Sequence, residues 1–570
     1  MKRSVFVVIA LALLVFPLAA QKPADRPRSQ VQLVEATVDQ LQHALRTGLL
    51  TSEQLVQMYL ARIDQYEPLL NAYIHVNPDA LAEARAADVE RRLGHKTNPM
   101  FGIPVLLKDN IDTSDMPTTA GSVSLAGSIP PNDAFITRRL REAGAIILGK
   151  ATLTEFANFI STNNVSGYSS LGGFGFNPYD PRRDPRTVAP FNDGRPVLTP
   201  GGSSSGPGIA VAANLVTVAI GTETSGSILS PGTANMAVGI KPTLGLVSRT
   251  GILPITADQD TAGPLARTVA DAAALLGVIA GFDPADGATA PCLQDGNCFA
   301  DYTQFLDKHG LKGARIAVPH VPYLTNLTAD QLKVMTNAIA VMRAEGAIVV
   351  DPYEIPNQAA ISGFGICTSF PAPANCSTVL MYGQKHDLNA YLTNRPNAPV
   401  HTQHDIVVFN MAHAAQALKY NQNIFLAVDQ LNTDPGSADT VRYQQDRQKD
   451  LQLTRGGLDA VYNGPDGIPG TADDFDAILF PRNQGAGAPA KAGYPSIVVP
   501  GGFAAVPTQN PPFPAGFVPE PAPFGVTFSG RPFSEPRLIA IAYAFEQATQ
   551  HRVSPKSTPP LQGDFVSRPN

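Results

Sequence analysis

The sequence predicts an α/β fold with a mixed, mostly parallel central β-sheet covered by helices. From Met100 onward, short apolar runs of strand length alternate with stretches of helical period. The chain has 570 residues, 44% apolar and 16% charged, enough to bury a sizeable core and too apolar for disorder over most of its length. Its 48 Gly and 51 Pro exceed average usage and predict many loops and sharp turns. Coiled coils and all-helical repeats are poor candidates on that composition.

The elements follow in order. Val34 to Leu45 carries apolar residues at three- and four-residue spacing, and Thr51 and Ser52 cap a second helix, Glu53 to Tyr66. Ile103 to Leu107 is a short apolar strand, Phe135 to Ala143 a helix, and Ala145 to Leu148 a buried strand. An Ala/Val-rich helix, Ile209 to Ala213, precedes strand Leu215 to Ile220. Ala314 to Val318, a helix from Ala329 to Ala344 capped by Thr328, and Ala347 to Val350 form a strand–helix–strand unit. Ala477 to Phe480, Ile497 to Val499 and Val526 to Phe528 complete the strands. Ser534 caps a last helix, Pro536 to Thr549, with Pro in its first turn. Three segments read as loops: Phe176 to Thr199, Asn463 to Asp474, and Pro507 to Pro523, whose seven prolines bar a central strand. Asp466, Asp473 and Asp474 miss the helix–loop–helix calcium spacing and read as a solvated turn.

Charge and targeting narrow the function. Lys+Arg 42 against Asp+Glu 48 leaves a net charge of −6, which argues against a main task of holding nucleic acid or an anionic membrane. Residues 1–20 read as a secretory signal peptide: Lys2 and Arg3, an apolar run from Val5 to Phe16, then Pro17-Leu18-Ala19-Ala20 before Gln21. The apolar run is short for a membrane span, so the mature chain is expected to be exported, periplasmic or secreted, with no membrane contact after cleavage. Export makes the close pairs Cys292/Cys298 and Cys367/Cys376 two expected local disulfides; spacings of six and nine could suit metal ligands, but no His cluster accompanies either pair.

Gly and Ser concentrate in Thr199-Pro200-Gly201-Gly202-Ser203-Ser204-Ser205-Gly206 and again in Gly221-Thr222-Glu223-Thr224-Ser225-Gly226-Ser227-Ile228. A flexible linker is the plain alternative, but these segments flank a buried strand–helix unit, where linkers do not sit. Glycines admit close backbone approach and serines offer hydroxyl nucleophiles or proton carriers. A serine nucleophile needs a base. Lys108 ends the run Gly102-Ile103-Pro104-Val105-Leu106-Leu107, and a desolvated Lys turns neutral and becomes a general base.

Together these motifs resemble the amidase signature family, with Ser203 and Ser227 twenty-four residues apart and Lys108 about a hundred residues upstream of them. Ala143-Gly-Ala-Ile-Ile-Leu-Gly-Lys150, Gly239-Ile-Lys-Pro-Thr243 and Gln259-Asp-Thr-Ala-Gly-Pro264 agree with it. The resemblance implies one large domain over residues 34–552, with loop insertions about 176–199, 463–474 and 507–523. A signal peptide (1–20) and a polar segment (21–33) precede it, and a C-terminal tail (553–570) follows. It implies a hydrolase of carboxylic amides with Ser227 as nucleophile, Ser203 on a cis peptide as proton bridge, and neutral Lys108 as base. Backbone N–H groups of Thr224, Ser225, Gly226 and Ser227 would form the oxyanion hole, with no metal or organic cofactor. The expected partner is a small-molecule or peptide amide, not nucleic acid.

The chain departs from the family pattern at Glu223, where Asp is common, at Leu229, where Arg is common, at Ser225, and at Pro207-Gly208. These bear on substrate polarity, not on the catalytic trio. Three rivals remain. Gly202-x-Ser204-x-Gly206 fits the nucleophile elbow of α/β-hydrolases, which would make Ser204 the nucleophile and need a downstream His. A tRNA-linked amidotransferase subunit would share the fold but would not be exported. An inactive binding module would have lost Lys108, Ser203 or Ser227.

Overall fold

The computed structural model describes residues 30–94 and 98–567. The expected leader, 1–20, and residues 21–29 of the polar segment lie outside them. An eleven-stranded mixed sheet runs through the molecule. Its strands, numbered in chain order, are β1 Tyr73–Val76, β2 Pro104–Lys108, β3 Ile146–Ala151, β4 Val218–Glu223, β5 Val238–Lys241 and β6 Thr261–Ala266. The rest are β7 Arg315–Ala317, β8 Ile348–Val350, β9 Ala477–Pro481, β10 Ser496–Ala504 and β11 Ala522–Ser529. They lie in the order β8-β7-β9-β11-β10-β5-β6-β4-β2-β3-β1. Parallel pairing gathers in two blocks, β8-β7-β9 and β4-β2-β3, and antiparallel pairs join them.

Helices cover the sheet as an α/β fold requires. Ser205–Ala212 packs on β2, β3 and β4, Val269–Ile279 on β6, and both Ala329–Ala344 and Glu535–Thr549 on β10. Every residue of β2, β4 and β6 is buried, and in β2 and the first half of β4 this shows as apolar runs without alternation. Helix ends follow local chemistry. Thr37, Thr51 and Thr328 each close a reciprocal capping box with the Gln three residues on.

Three strands, β1, β5 and β6, escape the sequence pattern, and a fourth, β11, starts earlier than expected. β6 reads Thr-Ala-Gly-Pro-Leu-Ala, and Pro264 sits within it opposite Ile220 of β4. β11 begins at Ala522, so Pro523 of the proline-rich loop does enter a strand, at the outer end of the β10–β11 ribbon opposite Phe503. There the missing N–H costs little, because Pro is tolerated at the start of a strand.

Helices Val379–Thr393, Gln403–Ala412, Asn423–Asp429 and Ala438–Tyr462 build a second layer with its own apolar clusters. One cluster joins Phe156, Leu253, Leu388, Ile406 and Phe425; another joins Phe159, Ile255, Met381 and Val428. These helices therefore press on the 156–160 and 253–255 loops beside the serine-rich segments.

The first and last described segments are tied in. Gln30–Gln32 pairs antiparallel with Phe565–Ser567. Buried Arg62 meets Asp564 at 2.5 Å and donates to the carbonyl oxygens of Thr558 and Pro559. Residues 30–33 and 553–567 are thus packed against the domain. Among the described residues, no helix is long and apolar enough to cross a membrane.

Cys292–Cys298 and Cys367–Cys376 are disulfides. Such short loops yield roughly 2–3 kcal/mol of stabilisation each on the chain-entropy picture. Reduction should lower the melting temperature while leaving activity at low temperature intact, as parallel melting and turnover assays on reduced and oxidised protein will read.

Candidate active site

β2 and β4 pair in parallel with Val105, Leu106 and Leu107 beside Val218, Ala219 and Ile220. Their carboxyl ends therefore open at one edge of the sheet, where sites in α/β folds gather. Lys108 is the last residue of β2, and its side chain is fully buried. Its Nζ lies 2.7 Å from Ser203 Oγ, 2.8 Å from Thr222 Oγ1 and 3.2 Å from the Thr222 carbonyl oxygen. Asn110 Nδ2 donates to the same Thr222 hydroxyl at 3.1 Å and fixes its orientation.

Burial pushes the Lys108 ammonium down to about 7, against the weaker attraction of Asp260 and Glu223. A neutral amine in this position donates to the Thr222 carbonyl and turns its lone pair toward Ser203. That is the geometry of a base that receives the Ser203 proton.

Ser203 is fully buried and follows a cis Gly202–Ser203 peptide, as the resemblance implies. Its carbonyl accepts the Thr154 N–H at 3.0 Å, and the next residue's N–H, that of Ser204, donates to the Ser227 carbonyl at 3.1 Å. The two serine loops are thereby stitched together. No direct hydrogen bond between the Ser203 and Ser227 hydroxyls is formed among the described residues; catalytic contacts often tighten only in the substrate complex.

Residues 224–227 form the turn between β4 and the helix Leu229–Ala234. Among the described residues, the N–H groups of Thr224, Ser225, Gly226 and Ser227 donate to no protein acceptor, while the following N–H groups, of Ile228 and Leu229, bind Glu223 Oε2 at 2.7 and 3.0 Å. Glu223 thus caps the helix and holds the turn, leaving four donors for a ligand. Gly226 has φ +95°, a conformation that disfavours any side chain. Ser227 is 9% exposed, whereas Ser203 is fully buried.

Residues without an assigned role in the sequence support this turn. Asp260 accepts the Thr224 hydroxyl and the N–H groups of Ile255 (2.8 Å) and Thr256 (2.9 Å). Gln259 Nε2 donates to the Thr224 carbonyl at 3.2 Å. Burial lifts the Asp260 carboxyl to about 6, with the Thr224 hydroxyl and the two N–H groups opposing it. Thr222, Asn110, Gln259 and Asp260 all lie in the motif-bearing segments, yet only the fold shows what each touches.

Two of the departures, Leu229 and Gly208, have local explanations. Leu229 is buried against Ala486 and Val498, an apolar contact that a charged side chain would not make. At Gly208 a Cβ would come within 2.8 Å of Asn235 Nδ2 and 2.9 Å of Pro231 Cβ, so the glycine lets helix 205–212 lie close to helix 229–234.

Ser204, the nucleophile on the α/β-hydrolase reading, is fully buried, and its hydroxyl is held between the Thr222 N–H (3.2 Å) and the Thr222 carbonyl (3.1 Å). It is a brace within the sheet edge. Ser204→Ala should lose about 1–3 kcal/mol of stability from the unpaired strand groups while retaining activity to within about tenfold. Denaturant melts and initial rates on one preparation will separate the two effects.

The Asp-rich turn satisfies itself. Asp473 Oδ2 accepts the Asp466 N–H at 3.0 Å, and Asp474 Oδ2 accepts the Gly470 N–H at 2.9 Å and Arg531 at 3.2 Å.

Residues 54–539 match the protein-family description Amidase. A probable amidase of Arabidopsis thaliana is 39% identical over 541 residues, covering 93% of both chains. A putative amidase of Schizosaccharomyces pombe is 35% identical, covering 93% of this chain and 88% of the relative. Among solved structures, the peptide amidase from Stenotrophomonas maltophilia superposes with a TM-score of 0.76 at 40% identity, covering 92% of this chain and 99% of that one.

Proposed function

The chain belongs to the amidase signature family, and from that premise we propose that it is an exported hydrolase of carboxamides acting through a Ser227 acyl-enzyme. One observation carries the mechanistic part: buried Lys108 touches Ser203 beside a turn whose four N–H groups find no acceptor among the described residues. Ser203 passes its proton to Lys108 and takes the proton of Ser227, whose Oγ bonds to the amide carbonyl carbon. The carbonyl oxygen becomes an oxyanion held by the N–H groups of residues 224–227; one such donor contributes about 2.7–4 kcal/mol in other hydrolases. As the C–N bond breaks, the proton on Lys108 returns through Ser203 to the leaving nitrogen. Ammonia or amine departs, water attacks the acyl-enzyme by the same relay, and the acid is released.

Peptide amides are the proposed substrate class, supported by the likeness to the peptide amidase. Purified mature protein should release ammonia from peptide C-terminal amides faster than from aryl or alkyl amides in a common panel. Faster turnover of the aryl or alkyl compounds would reassign the substrate.

The two disulfides fit an oxidising compartment and favour export over a cytosolic amidotransferase role. Mass spectrometry of exported protein should find its first residue at or near Gln21, whereas a retained Met1 would return the cytosolic reading.

A further inference from the structure

Between the 176–199 insertion and the helical layer lies a cavity of about 530 Å³, lined by Asn164, Val165, Pro190, Arg195, Lys419 and Asn421 among others. The insertion that forms one wall is firmly built. The Arg186 guanidinium lies 3.5 Å from the Phe191 ring centre and 4.7 Å from that of Phe513, and donates to the Pro511 carbonyl at 3.1 Å. Arg195 binds Asp193 through two nitrogens, at 2.9 and 2.7 Å. Tyr420 donates its hydroxyl to the same carboxylate.

That pairing neutralises Arg195; Asp193 also attracts Lys419, but with Arg183 close by a net positive charge remains around Lys419. Its ammonium is held in place, donating to the Asp193 carbonyl oxygen at 2.8 Å and standing 4.6 Å from the Phe174 ring centre and 5.1 Å from that of Tyr168. An ammonium has three donors, and the carbonyl takes one.

The cavity adjoins the catalytic segment. Ser166, next to Val165, packs against Gly202, where a Cβ would come within 3.2 Å of Ser166 Cβ. Gly167 N–H donates to Thr154 Oγ1 at 2.9 Å, and Thr154 N–H to the Ser203 carbonyl at 3.0 Å. On the other wall the chain runs from Arg195 directly into the Gly201–Ser203 loop. The cavity wall at Val165 is thus one residue from Ser166, which packs on Gly202 of the serine loop, beside the residues that the Ser204–Ser227 hydrogen bond ties to the nucleophile.

We propose that this cavity is the subsite for the part of the acyl group beyond the amidated residue, and that Lys419 makes it select a carboxylate there. The inference rests on the peptide-amide reading. The amide oxygens of Asn164 and Asn421 are taken by Val165 N–H and by Ser161 and Asn423, which turns their Nδ2 groups to a peptide carbonyl, and the carboxylate of an acidic side chain completes the donor set of Lys419.

The test compares N-acetyl-Glu-Ala-amide with N-acetyl-Gln-Ala-amide, a pair differing only in charge, by ammonia release from the full mature chain. The wild type should favour the Glu compound in kcat/KM by about tenfold at low ionic strength, with the ratio shrinking as salt is added. Lys419→Met should bring the ratio to about one, and Lys419→Arg should retain it. A wild-type ratio of one, or a preference that survives Lys419→Met, overturns the subsite. Hydrolysis of neither peptide together with turnover of small alkyl amides overturns the substrate class itself, and the subsite falls with it.

Discussion

Ser227→Ala is expected to reduce amide hydrolysis by roughly 10⁴-fold or more, because it removes the proposed nucleophile and the two serines of the Ser203-Ser204 pair are already committed. Ser203 is buried against Lys108, and Ser204 is held by the backbone of Thr222, so neither can replace it. Ser203→Ala should fold and lose roughly 10²–10⁴-fold, since it removes the bridge but not the nucleophile or the oxyanion donors. The distinction is measurable as residual acylation by an activated ester, retained in Ser203→Ala and absent in Ser227→Ala.

The second large effect concerns Lys108. Lys108→Ala should also cost roughly 10²–10⁴-fold, and more for amides than for esters, because an amine must be protonated before it leaves. The pH dependence follows from the same residue. Burial brings its ammonium down to about 7, so the neutral base predominates above that pH and the protonated, inactive form below it. Acylation should rise as pH increases through about 7 and then level off. Stopped-flow acylation from pH 5 to 9 will read this limb, and a profile flat through that range would remove Lys108 as the base.

The parts of the fold legible in the sequence are those where local and global preferences agree. The helix Ala329–Ala344 appears with its predicted bounds because Thr328 caps it and its apolar residues recur at helical spacing. Helix Ala438–Tyr462 does not announce itself, because much of its buried face is polar. Asp446 accepts the Thr378 N–H at 3.0 Å and Asp450 pairs with Lys491 at 2.6 Å, contacts made with residues far along the chain. The strand Thr261–Ala266 is hidden by its own Gly and Pro, which a pattern of apolar runs discounts.

The site divides in the same way. Lys108, Ser203 and Ser227 stand out because motif spacing carries them. The Lys108–Ser203 contact spans 95 positions and the Thr224–Asp260 contact 36, distances over which residue type alone says nothing about proximity. Thr222 and Asn110 are equally silent in the sequence, since a threonine in a strand and an asparagine in a turn are ordinary residues there. Only when β2 and β4 pair does Lys108 come to rest on Thr222, and only then does the serine motif meet a buried lysine.

The central claim is that Ser227, and not Ser204, bonds to the substrate carbonyl carbon. The most direct measurement is to inactivate the mature enzyme with a serine-reactive fluorophosphonate, digest it, and map the adduct by tandem mass spectrometry. A single adduct on Ser227 is predicted, lost in Ser227→Ala and slowed in Lys108→Ala. An adduct on Ser204, or undiminished labelling of folded Lys108→Ala, would contradict it.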